Sequence, residues 1–288
     1  MIRNIILKSL NFFTQALFKA LNYSKYGRKI IYQFQDLSRE VVKTVRHENT
    51  EFIFYTPNSM ALYRANTFSD KEPETLEWID SIGEKETLWD IGANVGLYSI
   101  YAAKVKKCNV FAFEPSVFNI ELLAKNIYIN GLNELITIIP LPLNDKTQVN
   151  QMRMTSTQLG GSMSSFDHIN GFDGNDIISN FEYAVLGIKM DDLLYKFNLK
   201  QPNYIKIDVD GIEHFILQGG RNVLQSCESI LIEINDNFTL QANRSQVILK
   251  ELGFYLHDKR HGKQYDDITS KSHNTFNQIW KKTNKYES

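Results

Sequence analysis

Between Thr87 and Lys282 the chain alternates between short apolar runs and stretches of helical spacing, and that alternation restricts the fold more than any other feature. "TLWDIG", "NVFAFEP", "ITIIPLPL", "YIKIDVD" and "SILIEIN" read as strands. "GLYSIYAAKVK", "VFNIELLAKNIYING", "EHFILQGGRNVLQ" and "QANRSQVILKELG" read as helices. Strands joined through helices form a parallel, doubly wound sheet, because each connection must cross one face of the sheet to return. "FYLHDK" and "FNQIWKK" have no helix between them and should pair antiparallel, which brings the expected sheet to seven strands. A polar excursion from Asn144 to Asn180 interrupts the pattern.

With 288 residues the chain is long enough for one large α/β domain with an appended segment. We expect the division to fall near 1–68 for the extension and 69–288 for the domain. "REVVKTVRHENTEFIFYTPNS" reads as a hairpin turning at His47–Thr50. "SDKEPETLEWID" then opens a helix, with Ser69 or Asp70 as cap and Pro73 in its first turn. A net charge of −1 gives no electrostatic footprint for nucleic acid. Cys108 and Cys227 stand far apart in no metal-like spacing, as expected of a chain in a reducing cytoplasm.

The first 35 residues differ from the rest. Arg3, Lys8, Lys19, Lys25, Arg28 and Lys29 are basic, and no acid precedes Asp36. Ile2, Ile5, Ile6, Leu10, Phe13, Leu17 and Leu21 recur at helical spacing, with neither the length of a bilayer span nor a secretory cleavage pattern. Two readings stand. Residues 1–22 form an amphipathic helix packed on the main domain or on a second subunit of a homodimer, or they lie on the inner face of an anionic membrane as a peripheral contact.

The turn "DIGANVG" carries the cofactor signal. Asp90 ends a strand, and Gly92 and Gly96 frame the turn that leads into a helix. A dinucleotide site wants a further close glycine for pyrophosphate, and Ala93 and Asn94 stand there instead. The acid at Asp90 repels pyrophosphate and suits a ligand bearing an ammonium and a sulfonium, such as S-adenosylmethionine. Glu114 ends the next strand, where it can accept hydrogen bonds from ribose hydroxyls.

Taken together, "DIGANVGLYS", "FEPSVFNIELLAKNI", "IKIDVDGIEHFIL" and "LIEIN" resemble the successive motifs of FkbM-type S-adenosylmethionine-dependent methyltransferases, over about residues 60–257. The resemblance implies a class I methyltransferase fold, a Rossmann-like sheet of seven mostly parallel strands with an antiparallel final hairpin. It also implies that Asp90, Gly92, Asn94 and Gly96 line the methionine end of the cofactor, with Glu114 on the ribose. Asn144, in a "PLPLND" segment that departs from the family pattern, would reach the adenine.

The reacting site should lie where "KIDVDGIEH" ends its strand, which delivers Asp208, Asp210 and Glu213 as candidate catalytic residues, Asp208 also bordering the cofactor. Asp208 leaves a buried apolar strand beside another carboxylate, so its pKa should rise toward that of a useful base. Glu213 could instead complement a helix dipole, and His214 reads as a packed helix residue rather than a catalyst. The same acids allow a second use: Asp208 and Asp210, with Asn235, Glu233 or Asp236, as ligands of Mg²⁺. Arg64 in "LYRAN" suits an acidic acceptor, and Ser164, Phe166 and Phe172 suit a sugar. The expectation is an O-methyltransferase acting on a sugar hydroxyl of a surface glycan or its precursor. Its alternatives are a secondary-metabolite acceptor, an NAD-dependent oxidoreductase, and a methyltransferase-like module that only binds.

Overall fold

Two helices, α1 (Ile2–Asn22) and α2 (Lys25–Arg39), open the described chain, where periodicity predicts only the first. The second begins because the Ser24 hydroxyl accepts from the Gly27 backbone N–H at 2.8 Å, capping a new helix. The computed structural model describes residues 2–270 and 272–283, with side-chain surroundings from residue 6 onward. Strands β1 (Val42–His47) and β2 (Thr50–Tyr55) form the expected hairpin, His47 pairing with Thr50. Phe52 and Phe54 of β2 are buried in the same apolar cluster as Trp78, Ile79 and Ile100.

The short helix α3 (Ser59–Asn66) is capped by Asn58, whose side chain accepts from Ala61 N–H. In α4 (Pro73–Asp80) the capping residue is Glu72, not Ser69 or Asp70. Pro73, pre-set for a first helical position, fixes that boundary. The Glu72 carboxylate makes no capping bond. Instead it holds Lys71 Nζ at 2.5 Å and the Tyr98 hydroxyl at 2.9 Å.

The alternating segments follow as β3 (Thr87–Ile91), α5 (Leu97–Lys106), β4 (Asn109–Phe113), α6 (Val117–Ile129) and β5 (Ile136–Ile139). The polar excursion then proves to be structured. Strands β6 (Gln148–Met154), β7 (Ser164–Phe166) and β8 (Phe181–Gly187) make an antiparallel sheet in the order β7-β6-β8. Only Met152, Met154 and Phe166 of this layer give it deep anchorage in the core, so its sequence reads as loop. Helix α7 (Met190–Phe197) leads to β9 (Tyr204–Ile207). The expected single helix after β9 is two, α8 (Glu213–Gly219) and α9 (Arg221–Gln225), divided at Gly219–Gly220. Then come β10 (Ser229–Asn235), α10 (Thr239–Glu251), β11 (Phe254–Arg260) and β12 (Thr275–Lys282).

Seven strands form the main sheet, ordered β11-β12-β10-β9-β3-β4-β5. Only β12 runs against its neighbours, as the class I methyltransferase fold requires. Successive residues of β3 feed opposite faces: Leu88 joins the cluster with Phe52 and Ile100, while Trp89 and Ile91 join the one with Ile205 and Ile230. Burial of apolar side chains on both faces is what makes these strands read as near-continuous apolar runs. From β3 the chain winds through β4 and β5 on one side, and β9 lies on the other. The carboxyl end of β3 is therefore the switch point at which an open α/β sheet forms its crevice.

Candidate active site

At that crevice lies a cavity of about 330 Å³. Its floor is the turn after β3. Gly92 has φ +87°, and a Cβ placed there would sit 1.9 Å from the Asp208 carbonyl oxygen, so the turn and the end of β9 approach as closely as they do only because residue 92 is glycine. Asn94 lines the cavity, with φ 50°. Its backbone N–H donates to Glu114 Oε2 at 2.8 Å, and its amide Nδ2 donates to Gly161 O at 2.8 Å. The Asn94 Oδ1 atom is buried with no partner among the described residues, an acceptor available to a ligand N–H or ammonium.

Glu114 stands beside Asn94 on the same rim, at the end of β4. Its carboxylate accepts from the backbone N–H groups of Asn94 and Ser116, both at 2.8 Å. Burial pushes its pKa up to about 7 against those hydrogen bonds. Two carboxylate oxygens offer about four lone-pair sites, so acceptor capacity remains for ribose hydroxyls. The apolar wall is Leu141, Pro142 and Leu143, after β5.

A second wall comes from the excursion. Asn119 Oδ1 accepts from Gly160 N–H at 3.0 Å and Asn119 Nδ2 donates to Gly161 O at 3.1 Å, while Arg64 Nε donates to Gly160 O at 2.6 Å. Asn58 Nδ2 holds Leu159 O at 3.0 Å. The loop before β7 is thus bound to α3, α6 and the β3–α5 turn. It brings Ser164 and Phe166 to the cavity, along with Phe172 from beyond β7.

The third wall is charged. Asp208, beyond β9, pairs with buried Lys206 at 3.0 Å. Burial pushes the Asp208 carboxyl up, but Lys206 and Lys71 overcome this and hold it below the ordinary range. This corrects the expectation of a raised pKa there, because the cation lies two residues upstream on the same strand. Asp210, in the left-handed region at φ 66°, accepts from Met163 N–H at 2.7 Å and Ser164 N–H at 3.3 Å. Burial and the neighbouring Asp208 charge push its pKa up to about 6. Glu233 also lines the cavity, and burial with the charges of Asp208 and Glu72 raises its pKa well above the carboxylate range.

Six expected site residues lie off the cavity wall, one of them Asp236, which pairs with Lys259 Nζ at 2.6 Å. Asp90 is buried beneath the turn, its Oδ2 accepting from Ser99 Oγ at 2.5 Å. Gly96 is the residue preceding α5, packed under Leu123. Asn144 is fully buried, its Nδ2 donating to Asp167 at 3.3 Å. Glu213 accepts from Gly211 N–H at 3.1 Å and from Gln241 Nε2, so it braces the Asp210 turn from behind. Burial lifts its pKa to about 7. Asn235 accepts from Asn237 N–H and is likewise turned away.

The expected Mg²⁺ set of Asp208, Asp210 and Asn235 is therefore not assembled. The acids that do converge are Glu72, Asp208 and Glu233, with ligand atoms within 4.8 Å of one another. Two of the three already hold an ammonium, Lys71 on Glu72 and Lys206 on Asp208, so this donor set does not fit a dedicated divalent site. Glu233 reaches the cavity because it shares the sheet face of Leu231, opposite to Ile232 and Ile234. His214 is buried, both ring nitrogens lack a partner among the described residues, and burial lowers its pKa to about 4, as for a packed histidine. Asn119, Lys71 and Glu72 also line the cavity, and none was among the expected site residues.

Comparison with known proteins bears on what this cavity is for. Residues 90–265 match the methyltransferase FkbM domain. The chain belongs to the FkbM methyltransferase family. A curated relative, the hexuronic acid methyltransferase AglP of Haloferax volcanii, is 30% identical over 165 residues, 54% of this chain and 59% of that protein. The chain thus spans about three-fifths of that relative's length. Among solved structures, an FkbM methyltransferase from Methylobacillus flagellatus KT is 16% identical with a TM-score of 0.49, covering 88% of this chain and 59% of that one. The precorrin-6y C5,15-methyltransferase of Geobacter metallireducens GS-15 is 15% identical with a TM-score of 0.43, covering 73% of this chain and 87% of that one.

Proposed function

We propose that the chain is an S-adenosylmethionine-dependent O-methyltransferase whose acceptor is an acidic sugar of a surface glycan or its precursor. The observation that carries this reading is one cavity with a cofactor rim at Gly92, Asn94 and Glu114 and a carboxylate of raised pKa, Asp210, on the facing wall. The rim fits the cofactor chemically. Glu114 has acceptor capacity for a ribose diol, the orphaned Asn94 Oδ1 suits an ammonium, and Leu141–Leu143 offer an apolar surface for a base. When bound, the cofactor supplies an electrophilic methyl carbon on a sulfonium.

The chain must then align the acceptor oxygen and take its proton. Asp208 and Asp210 have had their pKa values pushed apart, the usual sign that two neighbouring acids serve different ends. Asp208, ionised beside Lys206, stays an anion. Asp210, near 6, receives the proton of the acceptor hydroxyl while its other contacts, Met163 and Ser164 N–H, hold it in place. Arg64 lines the same cavity and offers a cation to an acceptor carboxylate, in keeping with the hexuronic acid named for the relative. Ser164 and Phe166 give the sugar a hydroxyl and a ring face.

The test is transfer of a labelled methyl group from S-adenosylmethionine to glycans with and without uronic acid residues. Label on the uronic acid glycans, reduced about tenfold or more by Arg64→Ala, is the expected result. Equal labelling of neutral glycans would remove the acidic acceptor, and no labelling of any sugar would remove the sugar.

A further inference from the structure

The segment that the active site leaves unused is α1–α2. Between residues 6 and 39 only Gly27 and Ile31 are buried and Leu21 is half-buried. On α1, Leu10, Phe13 and Leu17 share one face at helical spacing and are 58–69% exposed. On α2, Tyr26, Ile30, Phe34 and Leu37 repeat the pattern, again exposed. Surface helices of a globular protein normally turn such a stripe into the core, and contiguous exposed apolar area of this extent marks a contact surface. The two helices meet rigidly: a Cβ at Gly27 would lie 2.0 Å from the Leu21 carbonyl oxygen, so the corner is closely packed and presents α1 and α2 as one unit.

Charge indicates what covers this face. Six of the 32 basic residues and none of the 33 acids precede Asp36. Lys8 and Lys19 lie eleven residues apart on the face of α1 opposite Leu10, Phe13 and Leu17, whereas Lys25 and Lys29 lie on one side of the apolar stripe of α2. The same helices of a second copy would bring like charges together, whereas an anionic lipid surface answers both the apolar stripes and the net positive charge of the segment. No described helix is long and apolar enough to cross a membrane. We propose that α1–α2 is an interfacial anchor that lays Leu10, Phe13 and Leu17 into the headgroup boundary of an anionic bilayer, to which the acid-free positive charge of the segment draws it. This places the enzyme at a membrane surface whichever acceptor the cavity takes.

Co-flotation of the full chain with phosphatidylcholine vesicles, with and without about one-third phosphatidylglycerol, tests the anchor. Two variants accompany it, L10S/F13S/L17S and K8E/K19E/K25E/K29E, all at exposed positions. Their fold is checked by an unchanged thermal shift with S-adenosylhomocysteine. The expected result is flotation on the anionic vesicles, weakened about tenfold or more by either variant and by raising salt from ~0.1 to ~0.5 M. Failure to float, or flotation that neither variant changes, would overturn the proposal. So would a concentration-dependent dimer in sedimentation that the L10S/F13S/L17S variant abolishes, since a second copy would then be the cover.

Discussion

Single residues decide the chemistry at two points. Gly92→Ala would drive a methyl group against the Asp208 carbonyl oxygen, 1.9 Å away, and force a positive φ on alanine. Strain of that kind costs roughly 1–3 kcal/mol, so S-adenosylhomocysteine should bind this variant about tenfold more weakly or worse, read by calorimetry. Asp210→Asn is the second. It preserves shape but removes the proposed base, and methyl transfer should fall about 10²–10⁴-fold while cofactor affinity stays within about twofold. For the wild type, the proposed mechanism needs the ionised Asp210. Rate should therefore rise through a pH midpoint near 6, where burial and Asp208 have set that carboxyl, and then level off. A rate that is flat across that range would count against Asp210.

Among the elements, the β7-β6-β8 layer forms one wall of the cavity, held there through a few amides. Asn119 holds both Gly160 and Gly161, at 3.0 and 3.1 Å. Asn119→Ala should therefore free this loop: amide exchange at residues 158–163 should accelerate about tenfold, for a loss of some 1–3 kcal/mol in local stability. Exchange there unchanged from wild type would mean that Arg64 and Asn94 suffice. How much of this was legible in the sequence follows from what each element buries. The inner strands of the main sheet were readable because apolar residues buried on both faces produce near-continuous runs, as in β10. The small sheet was not, because "QVNQMRM" is mostly polar and half-buried and anchors only through Met152 and Met154. The Gly92 turn, Glu114 and Asp210 were readable from spacing at strand ends. Lys71, Glu72 and Asn119 were not, since they enter from the loop before α4 and from α6, whose approach to the cavity is a property of packing. Asn144 and Asp90 were misplaced for the same reason: a residue's position at a strand end does not say whether its side chain turns toward the crevice or under it.

For the whole molecule, a set of buried acids makes stability depend on pH in a defined direction. Glu213, 1% exposed, is raised by burial from 4.5 to about 7. A group whose folded pKa is raised contributes stability that is fully present below its unfolded value and lost as pH rises through the folded one. Between about pH 4.5 and 7 the Glu213 contribution should thus fall by on the order of 3 kcal/mol. Thermal unfolding should show the midpoint decreasing from about pH 5 to about pH 8, with a flatter profile in Glu213→Gln. A midpoint that climbs over that interval, with no difference in the variant, would contradict the assignment.

The central claim is that the crevice at the end of β3 is built for S-adenosylmethionine and not for a dinucleotide. Calorimetric titration of the full chain with S-adenosylhomocysteine and, separately, with NAD addresses it most directly. The account predicts saturable one-to-one binding of S-adenosylhomocysteine, weakened about tenfold or more by Glu114→Ala, and no binding of NAD. Binding of NAD in its place, lost in the same variant, would contradict it.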